Sequence, residues 1–174
     1  MKTEIRIAGL GGQGIVLAGH ILGKAAAYDG KKVVQTQSYG AEARGSMAKS
    51  EVVVSDQKIG FPMVTRCNIL VSMSQEALDK HLKDLREDGT LIIDSTNVKQ
   101  PEKNVKLFRI QATEKAEKIF GTKVCANMLM LGALTKVTKV VSDDSMERAI
   151  GDTVEKKTAS MNIQAYVEGR ELVH

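Results

Sequence analysis

The chain has 174 residues, of which 43% are hydrophobic and 26% are charged. These proportions are typical of a single globular domain and exclude an intrinsically disordered chain. The net charge of +4 comes from 25 basic and 21 acidic residues spread along the sequence, so the clustered basic stripe of a nucleic-acid-binding protein is missing. Only 3% of the residues are aromatic, which predicts a core of aliphatic side chains and Met.

Cysteine usage and the amino-terminal residues limit the compartment and the cofactors. Cys67 and Cys125 belong to no CxxC motif and no Cys/His cluster, so we expect two buried thiols rather than a disulfide, a zinc site or an iron–sulfur cluster. The opening residues MKTEIRIAGL are typical of a strand and not of a signal peptide. No apolar run reaches the roughly 18 residues needed to span a bilayer. We therefore predict a cytoplasmic protein that binds neither membrane nor nucleic acid.

Hydrophobic periodicity predicts alternating strands and helices. In chain order we expect a strand over 4–9, a helix from residue 15 to Asp29, strands over 32–37, 48–55 and 68–73, a helix over 75–85, strands over 90–94 and 105–110, and helices over 112–120, 124–138, 142–154 and 157–170. Ser74 and Ser142 are predicted helix N-caps, and Glu87-Asp88-Gly89 is a predicted turn. Val124 is expected on the apolar helix over 124–138, which should be buried around most of its circumference.

This alternation predicts an α/β fold with three α/β/α layers, as one domain over residues 1–174. The predicted strands over 32–37 and 48–55 have too few residues between them for a parallel crossover, so these two strands are expected to pair antiparallel. The sheet should therefore be mostly parallel or mixed.

A glycine-rich turn, Gly9-Leu-Gly-Gly-Gln-Gly14, joins the first predicted strand to the first predicted helix. Gly9, Gly11 and Gly14 match the GxGxxG pattern, in which the backbone approaches a pyrophosphate at a helix N-terminus. The pattern also requires an acidic residue about 20 positions later, at the end of the second strand. This chain has Gln37 there, and Asp29 lies before that strand. We therefore favour a structural turn or a weak anion site over a classical NAD site.

A second motif, Gln37-Ser-Tyr-Gly-Ala-Glu-Ala-Arg-Gly45, follows the second predicted strand. Tyr39 stands beside glycines, and Arg44 has a guanidinium that can clamp a carboxylate or phosphate. A solvated turn and a loop packed against a partner subunit are the favoured interpretations, ahead of a catalytic loop. Twelve residues of the two motifs are candidates for a subunit interface or an anion site: Gly9, Gly11, Gly12, Gln13, Gly14, Gln37, Ser38, Tyr39, Gly40, Glu42, Arg44 and Gly45. None of them is predicted to be catalytic.

Together the two motifs resemble those of the gamma subunit of 2-oxoacid:ferredoxin oxidoreductases. The likeness continues over essentially the whole chain, through Pro62, Asn68–Val71, Met73–Ala77, Gly89–Asp94 and Asn127–Leu134. The family usually has Pro and Gly where this chain has Ala41 and Ser46. The QSYGAEARG loop and the SQEALDK segment are most similar to the 2-oxoglutarate branch. The pyruvate, branched-chain and indolepyruvate branches share the scaffold and stay open.

The resemblance implies an accessory subunit of a thiamine-dependent complex of anaerobic metabolism. Such complexes decarboxylate a 2-oxoacid, pass electrons through [4Fe-4S] clusters to ferredoxin and transfer the acyl group to coenzyme A. It implies thiamine diphosphate and Mg²⁺ between alpha and beta subunits, with clusters in beta and, where present, in a delta subunit. This chain alone is expected to bind none of these groups and to be inactive on its own.

Two other classes of function remain open. One is a stand-alone dinucleotide- or CoA-binding module; the other is a small independent reductase, ranked last because no nucleophile–base pair or metal set has a recognisable spacing. Among single residues, His20 is expected to be partly buried, His81 to be exposed, and Met128 and Met130 to fill the core. An exposed apolar patch could also let the isolated subunit self-associate.

Overall fold

The computed structural model describes residues 1–40 and 46–174, which form one six-stranded sheet with helices on both faces. The strands are β1 Lys2–Leu10, β2 Lys32–Tyr39, β3 Met47–Ser55, β4 Cys67–Ser72, β5 Leu85–Asp94 and β6 Lys106–Ile110. The helices are α1 Ile15–Tyr28, α2 Gln75–His81, α3 Ala112–Phe120, α4 Ala126–Thr138, α5 Asp143–Thr153 and α6 Lys156–Glu171, and a 3₁₀ turn over Leu82–Asp84 follows α2.

The strand order is β2-β3-β1-β4-β5-β6. The strands β1, β4, β5 and β6 run parallel, whereas β3 is antiparallel to both of its neighbours, β1 and β2. The β2–β3 pair is a hairpin because the segment between the two strands is too short for the crossover that parallel pairing requires. The α/β fold and the mixed sheet predicted from the sequence are confirmed.

The two faces of the sheet are covered differently. A large apolar core fills the face on which α1, α3, α4, α5 and α6 pack, with side chains such as Ile7, Leu22 and Met128. On the other face a smaller core, which includes Leu70, Leu78 and Val98, lies under α2 and the connecting segments. Burial of aliphatic side chains on both faces therefore stabilises the layers.

The helix α4 is buried from Ala126 to Thr135, as its apolar sequence predicts, and it crosses α6 at very close range. A Cβ atom on Gly132 would overlap the carbonyl oxygen of Tyr166, and one on Gly169 would overlap that of Leu129. The helix begins at Ala126, so the prediction that Val124 lies on a buried helix is wrong: Val124 is 72% exposed.

Residues 75–94 differ from the prediction. The Ser74 side chain accepts the backbone N–H of Ala77, which confirms the N-cap, but α2 ends at His81 and Leu85 already belongs to β5. The Glu87–Gly89 segment is not a separate turn. It lies within β5, where the pairing with β4 shifts register between Leu85 and Thr90. Leu85 is fully buried, and a Cβ on Gly89 would crowd Leu85 and the carbonyl of Asn68, so burial and close backbone packing override the helical spacing.

Ser142 accepts the N–H of Ser145 and caps α5, as predicted. Within residues 1–40 and 46–174, none of the helices has both the length and the apolar content to cross a bilayer.

Candidate functional site

The candidate site lies where the sheet reverses its connections, at the carboxyl ends of β1 and β4. Through α1 the chain passes from β1 to β2 on one side, and through α2 it passes from β4 to β5 on the other. In open α/β sheets such a switch point leaves a crevice that ligands use. Here the crevice is a cavity of about 520 Å³. It is lined by Leu10, Gly11, Gly12, Gln13, Met73, Ser74, Gln75, Glu76, Asn97, Thr113, Lys123, Val124 and Ala126.

The side chain of Gln13 holds the glycine turn against β4. Its Oε1 accepts the backbone N–H of Leu10 at 2.7 Å, and its Nε2 donates to the carbonyl of Met73 at 3.0 Å. Leu10 ends β1 and Met73 follows β4, so one amide connects both sides of the crevice. Gln13 therefore positions the turn.

Gly14 is the N-cap of α1 and has a left-handed backbone with φ 71°. Its carbonyl accepts the Asn127 Nδ2–H at 3.2 Å, and a Cβ atom would overlap that amide. Glycine at this position thus allows contact between the turn and the first residues of α4. The sequence likeness included Asn127, but its role in supporting the turn is visible only in the structure.

Gly12, unlike Gly14, is not packed against another part of the described chain. Its φ is 88°, and apart from its chain neighbours no described residue lies within 4 Å of where its Cβ would be. The absence of a side chain at Gly14 therefore makes room for Asn127 of this chain. At Gly12 it leaves the backbone accessible to a different molecule.

The structure brings the described start of the second motif, residues 37–40, and the residues that follow it next to the first motif. Gly11 N–H donates to Ser46 O, and Gly40 N–H donates to Met47 O, both at 2.7 Å. Beside these bonds a groove of about 320 Å³ runs between the turn, the start of α1 and the hairpin end. Two apolar side chains of the groove are exposed, Tyr39 at 63% and Leu17 at 38%. Tyr39 of the second motif and the glycine turn therefore line the same groove.

The other residues of the second motif divide into two groups. Gln37 and Ser38 are exposed near the end of the edge strand β2. Glu42, Arg44 and Gly45 lie outside the described residues.

Asp29 lies at the far end of α1 from the glycine turn. It accepts the backbone N–H of Ser142 at 2.7 Å and hydroxyl hydrogens from Ser142 and Ser145, both at 2.6 Å. Burial would raise the pKa of this carboxyl, but the hydrogen bonds outweigh it and the pKa is lowered. Asp29 thus stabilises the start of α5. It precedes β2 and so lies at the wrong end of that strand to hold a ribose, as expected.

A polar cluster at one wall of the crevice was not anticipated from the sequence. Asp94, fully buried at the end of β5, accepts the hydroxyl of Thr113 and the backbone N–H of Thr96. The Asn97 amide donates to Asp94 and to Thr113. Because Asn97 and Thr113 also line the cavity, Asp94 fixes the orientation of two polar side chains there. The sequence held no signal for this cluster beyond an acid at a strand end.

A buried charged cluster lies on the α2 face of β1. Arg6 pairs with Asp84 at 2.6 Å and with Glu51 at 3.3 Å, and it donates to the carbonyl of Val64 at 2.8 Å. Its Nη1 also lies 3.4 Å from His81 Nδ1. The periodicity of β1 gave no reason to expect a buried Arg partnered by residues from three other segments.

Both histidine predictions are wrong. His81 is 6% exposed, because α2 turns it under the sheet toward Arg6, whereas His20 is exposed on α1. Burial, with Arg6, Lys49 and Lys80 nearby, lowers the pKa of His81 to about 4. His81 is therefore neutral at pH 7.

The predictions that Cys67 and Cys125 are buried thiols and that Met128 and Met130 fill the core are confirmed. Cys67 and Cys125 are free and buried in different cores, and burial raises the pKa of the Cys67 thiol to about 11. Met128 and Met130 are buried in the larger core. Among the residues that the structure describes, no three His, Cys, Asp or Glu side chains are grouped to hold a metal ion.

Comparison with known proteins supports the assignment that the two motifs suggested. The profile described as pyruvate ferredoxin/flavodoxin oxidoreductase matches residues 4–172. The chain belongs to this family.

Family members of similar length match it from end to end. The 2-oxoglutarate synthase subunit KorC of Methanocaldococcus jannaschii is 50% identical, with 99% of this chain and 94% of that one covered. The pyruvate synthase subunit PorC of the same organism is 33% identical, with 93% and 92% covered. The crystal structure of the keto/oxoacid ferredoxin oxidoreductase gamma subunit from Geobacter sulfurreducens superposes with a TM-score of 0.86 at 41% identity, over 97% of this chain and 96% of that one.

Proposed function

We propose that this chain is the gamma subunit of a 2-oxoglutarate:ferredoxin oxidoreductase, a complex that converts 2-oxoglutarate and coenzyme A to succinyl-CoA and CO₂ with electrons passing to ferredoxin. The observation that carries the substrate is the higher identity to the 2-oxoglutarate synthase subunit than to the pyruvate synthase subunit of the same organism. A pyruvate or branched-chain complex of the same family is the alternative.

The role proposed for this chain is docking rather than catalysis. The surface made by the glycine turn and the end of the β2–β3 hairpin presents open backbone at Gly12 and exposed apolar groups at Tyr39 and Leu17. A convex partner segment can approach such a surface closely because no Cβ projects from Gly12. Apolar groups beside a groove are typical of protein interfaces. We propose that the alpha subunit binds to this surface.

The residues of this chain do not fit the complex's redox and thiamine groups. Its two thiols are buried in separate cores, so they cannot share a cluster. Among the described residues no three His, Cys, Asp or Glu side chains are grouped as metal ligands. We therefore place thiamine diphosphate, Mg²⁺ and the [4Fe-4S] clusters on the alpha, beta and any delta subunits, and derive no chemical step on this chain.

Anaerobic co-expression with the alpha and beta subunits encoded beside it would test the proposal. The purified complex should reduce ferredoxin with 2-oxoglutarate and CoA, and much more slowly with pyruvate or 2-oxoisovalerate. Leaving out this subunit should yield no stable, active complex. A complex that prefers pyruvate would move the assignment to the alternative, and full activity without this chain would contradict the subunit role.

A second candidate is direct binding of a nucleotide ligand by the crevice. The cavity volume of about 520 Å³ and its position at the switch point favour this candidate. CoA is the substrate of the proposed reaction that carries phosphates, which a helix N-terminus can bind. Calorimetry on the isolated chain with CoA, NADH, NADPH and FAD would separate the cases. Micromolar binding of a nicotinamide would favour a binding module over a docking subunit, whereas CoA binding is compatible with both.

We further propose that residues 1–174 act as one domain and that the isolated subunit self-associates through the groove. Light scattering across a concentration series should show dimers that Tyr39→Ser weakens. A monomer at all concentrations would contradict self-association and leave the docking proposal standing.

A further inference from the structure

A second polar cavity lies beside the docking surface, between the hairpin end and the C-terminal end of α2. It measures about 230 Å³, well above the roughly 30 Å³ occupied by one water molecule. The polar side chains that line it are Ser38, Tyr39, Lys49, Lys80 and His81. Every one of these side chains is able to donate a hydrogen bond, and none is acidic.

The orientation of His81 follows from its neighbour. The Arg6 guanidinium has only donors, so the His81 Nδ1 that it contacts must carry the lone pair. The proton of the neutral ring is therefore on Nε2. Among the described residues Nε2 has no hydrogen-bond partner, and His81 as a whole is 6% exposed. Because His81 lines the cavity, its Nε2–H is a donor available to an acceptor that enters the cavity.

The charges around the cavity favour an anion. Glu51 accepts ion pairs from both Arg6 and Lys49, and Asp84 accepts a second from Arg6. Lys80 has no ion pair among the described residues, so the group of Arg6, Lys49 and Lys80 with Glu51 and Asp84 holds one more positive than negative charge. Lys80 and Lys49 both line the cavity.

We propose that this cavity binds an oxyanion, a carboxylate or a phosphate group, with His81 Nε2–H as a preset donor and Lys80 and Lys49 as the counter-charges. Arg6 acts behind His81 by holding its tautomer. The site is distinct from the crevice at the carboxyl ends of β1 and β4 and shares Tyr39 with the docking surface. It does not depend on which 2-oxoacid the complex uses.

The chain has three histidines, which makes a direct test practical. Long-range ¹H–¹⁵N spectra of the full chain at pH 7 should show His81 as the neutral Nε2–H tautomer. Inorganic phosphate and acetate, each titrated at constant ionic strength, should shift the His81 resonances saturably while those of His20 and His174 stay unchanged. Tighter phosphate than acetate binding would point to a phosphorylated ligand, and the reverse to a carboxylate.

Lys80→Gln removes one counter-charge at an exposed position. It should weaken the affinity for the anion about threefold to fivefold, the range expected for one partly exposed charge pair. Lys83→Gln, an exposed lysine close by that does not line the cavity, is the matched control and should leave the affinity unchanged. Equal weakening by both variants would mean general charge screening and overturn the proposal. So would a protonated or Nδ1–H His81, or the absence of saturable shifts with both anions.

Discussion

Glycines have opposite roles in two regions of this protein. Where α4 crosses α6, Gly132 and Gly169 allow the two helices to meet so closely that any Cβ would strike backbone of the opposite helix. At the glycine turn, no described residue other than the chain neighbours of Gly12 lies within 4 Å of the position that its Cβ would occupy. The comparison teaches that a glycine can be required by the fold or can be available to a partner, and that the neighbouring atoms decide which.

The helix crossing should show the largest effect on folding. Gly132→Ala puts a methyl group against the Tyr166 carbonyl and the neighbouring backbone of α6, which cannot move without separating the helices. We expect a loss of about 3 kcal/mol or more in the free energy of unfolding, measured by urea denaturation. Gly151→Ala, in α5 with only ordinary contact to Ile163, is the control and should be neutral or slightly stabilising. A small loss at Gly132 would mean that the helices tolerate separation.

Gly14 lies in the glycine turn, but like Gly132 and Gly169 it is packed against another part of the chain. Gly14→Ala combines left-handed strain with displacement of the Asn127 amide, and we expect a loss of about 2 kcal/mol. Asn127→Ser in the same chain should relieve the displacement, so the double variant should lose less than the sum of the two single variants. Additive losses would show that Asn127 does not carry the contact.

The hairpin side of the site offers a pH-dependent test. Folding lowers the pKa of His81 from 6.5 to about 4, so below pH 6.5 the unfolded chain takes up a proton that the folded chain does not. Stability should therefore fall by about 1.5 kcal/mol between pH 6.5 and 5, and the loss from this group should end near pH 4. In His81→Gln this part of the slope should vanish, whereas His20→Gln should keep it. An unchanged slope in His81→Gln would contradict the burial of a neutral imidazole.

Gly12 should show the smallest effect on folding. Its Cβ position is open, so Gly12→Ala should lose only the cost of a left-handed side chain, about 1 kcal/mol. Gly30 also has an open Cβ position and positive φ, at the far end of α1, and Gly30→Ala should lose about as much. A much greater loss at Gly12 would mean that the turn is packed rather than open.

Local patterns predicted the strands, the helices and the two motifs because periodicity, caps and turn length depend on neighbouring residues. These patterns did not predict the features that depend on residues far apart in the sequence. Gly12 and Gly14 look alike in the sequence, and only Asn127, far along the chain, separates their roles. His81 has the polar character of an exposed helix residue, yet Arg6 on another element accounts for its burial. The register shift between β4 and β5 is equally non-local, since a Cβ on Gly89 would crowd the backbone of β4.

Assembly of a Gly12 variant tests the docking role most directly. Tagged wild-type, Gly12→Val and Gly30→Val chains would be co-expressed anaerobically with the alpha and beta subunits, and each would be checked for folding by circular dichroism. We predict that wild type and Gly30→Val retain both subunits, whereas folded Gly12→Val retains neither. Recovery of Gly12→Val with its partners at normal stoichiometry would contradict the assignment of the glycine turn as the surface where this protein meets its complex.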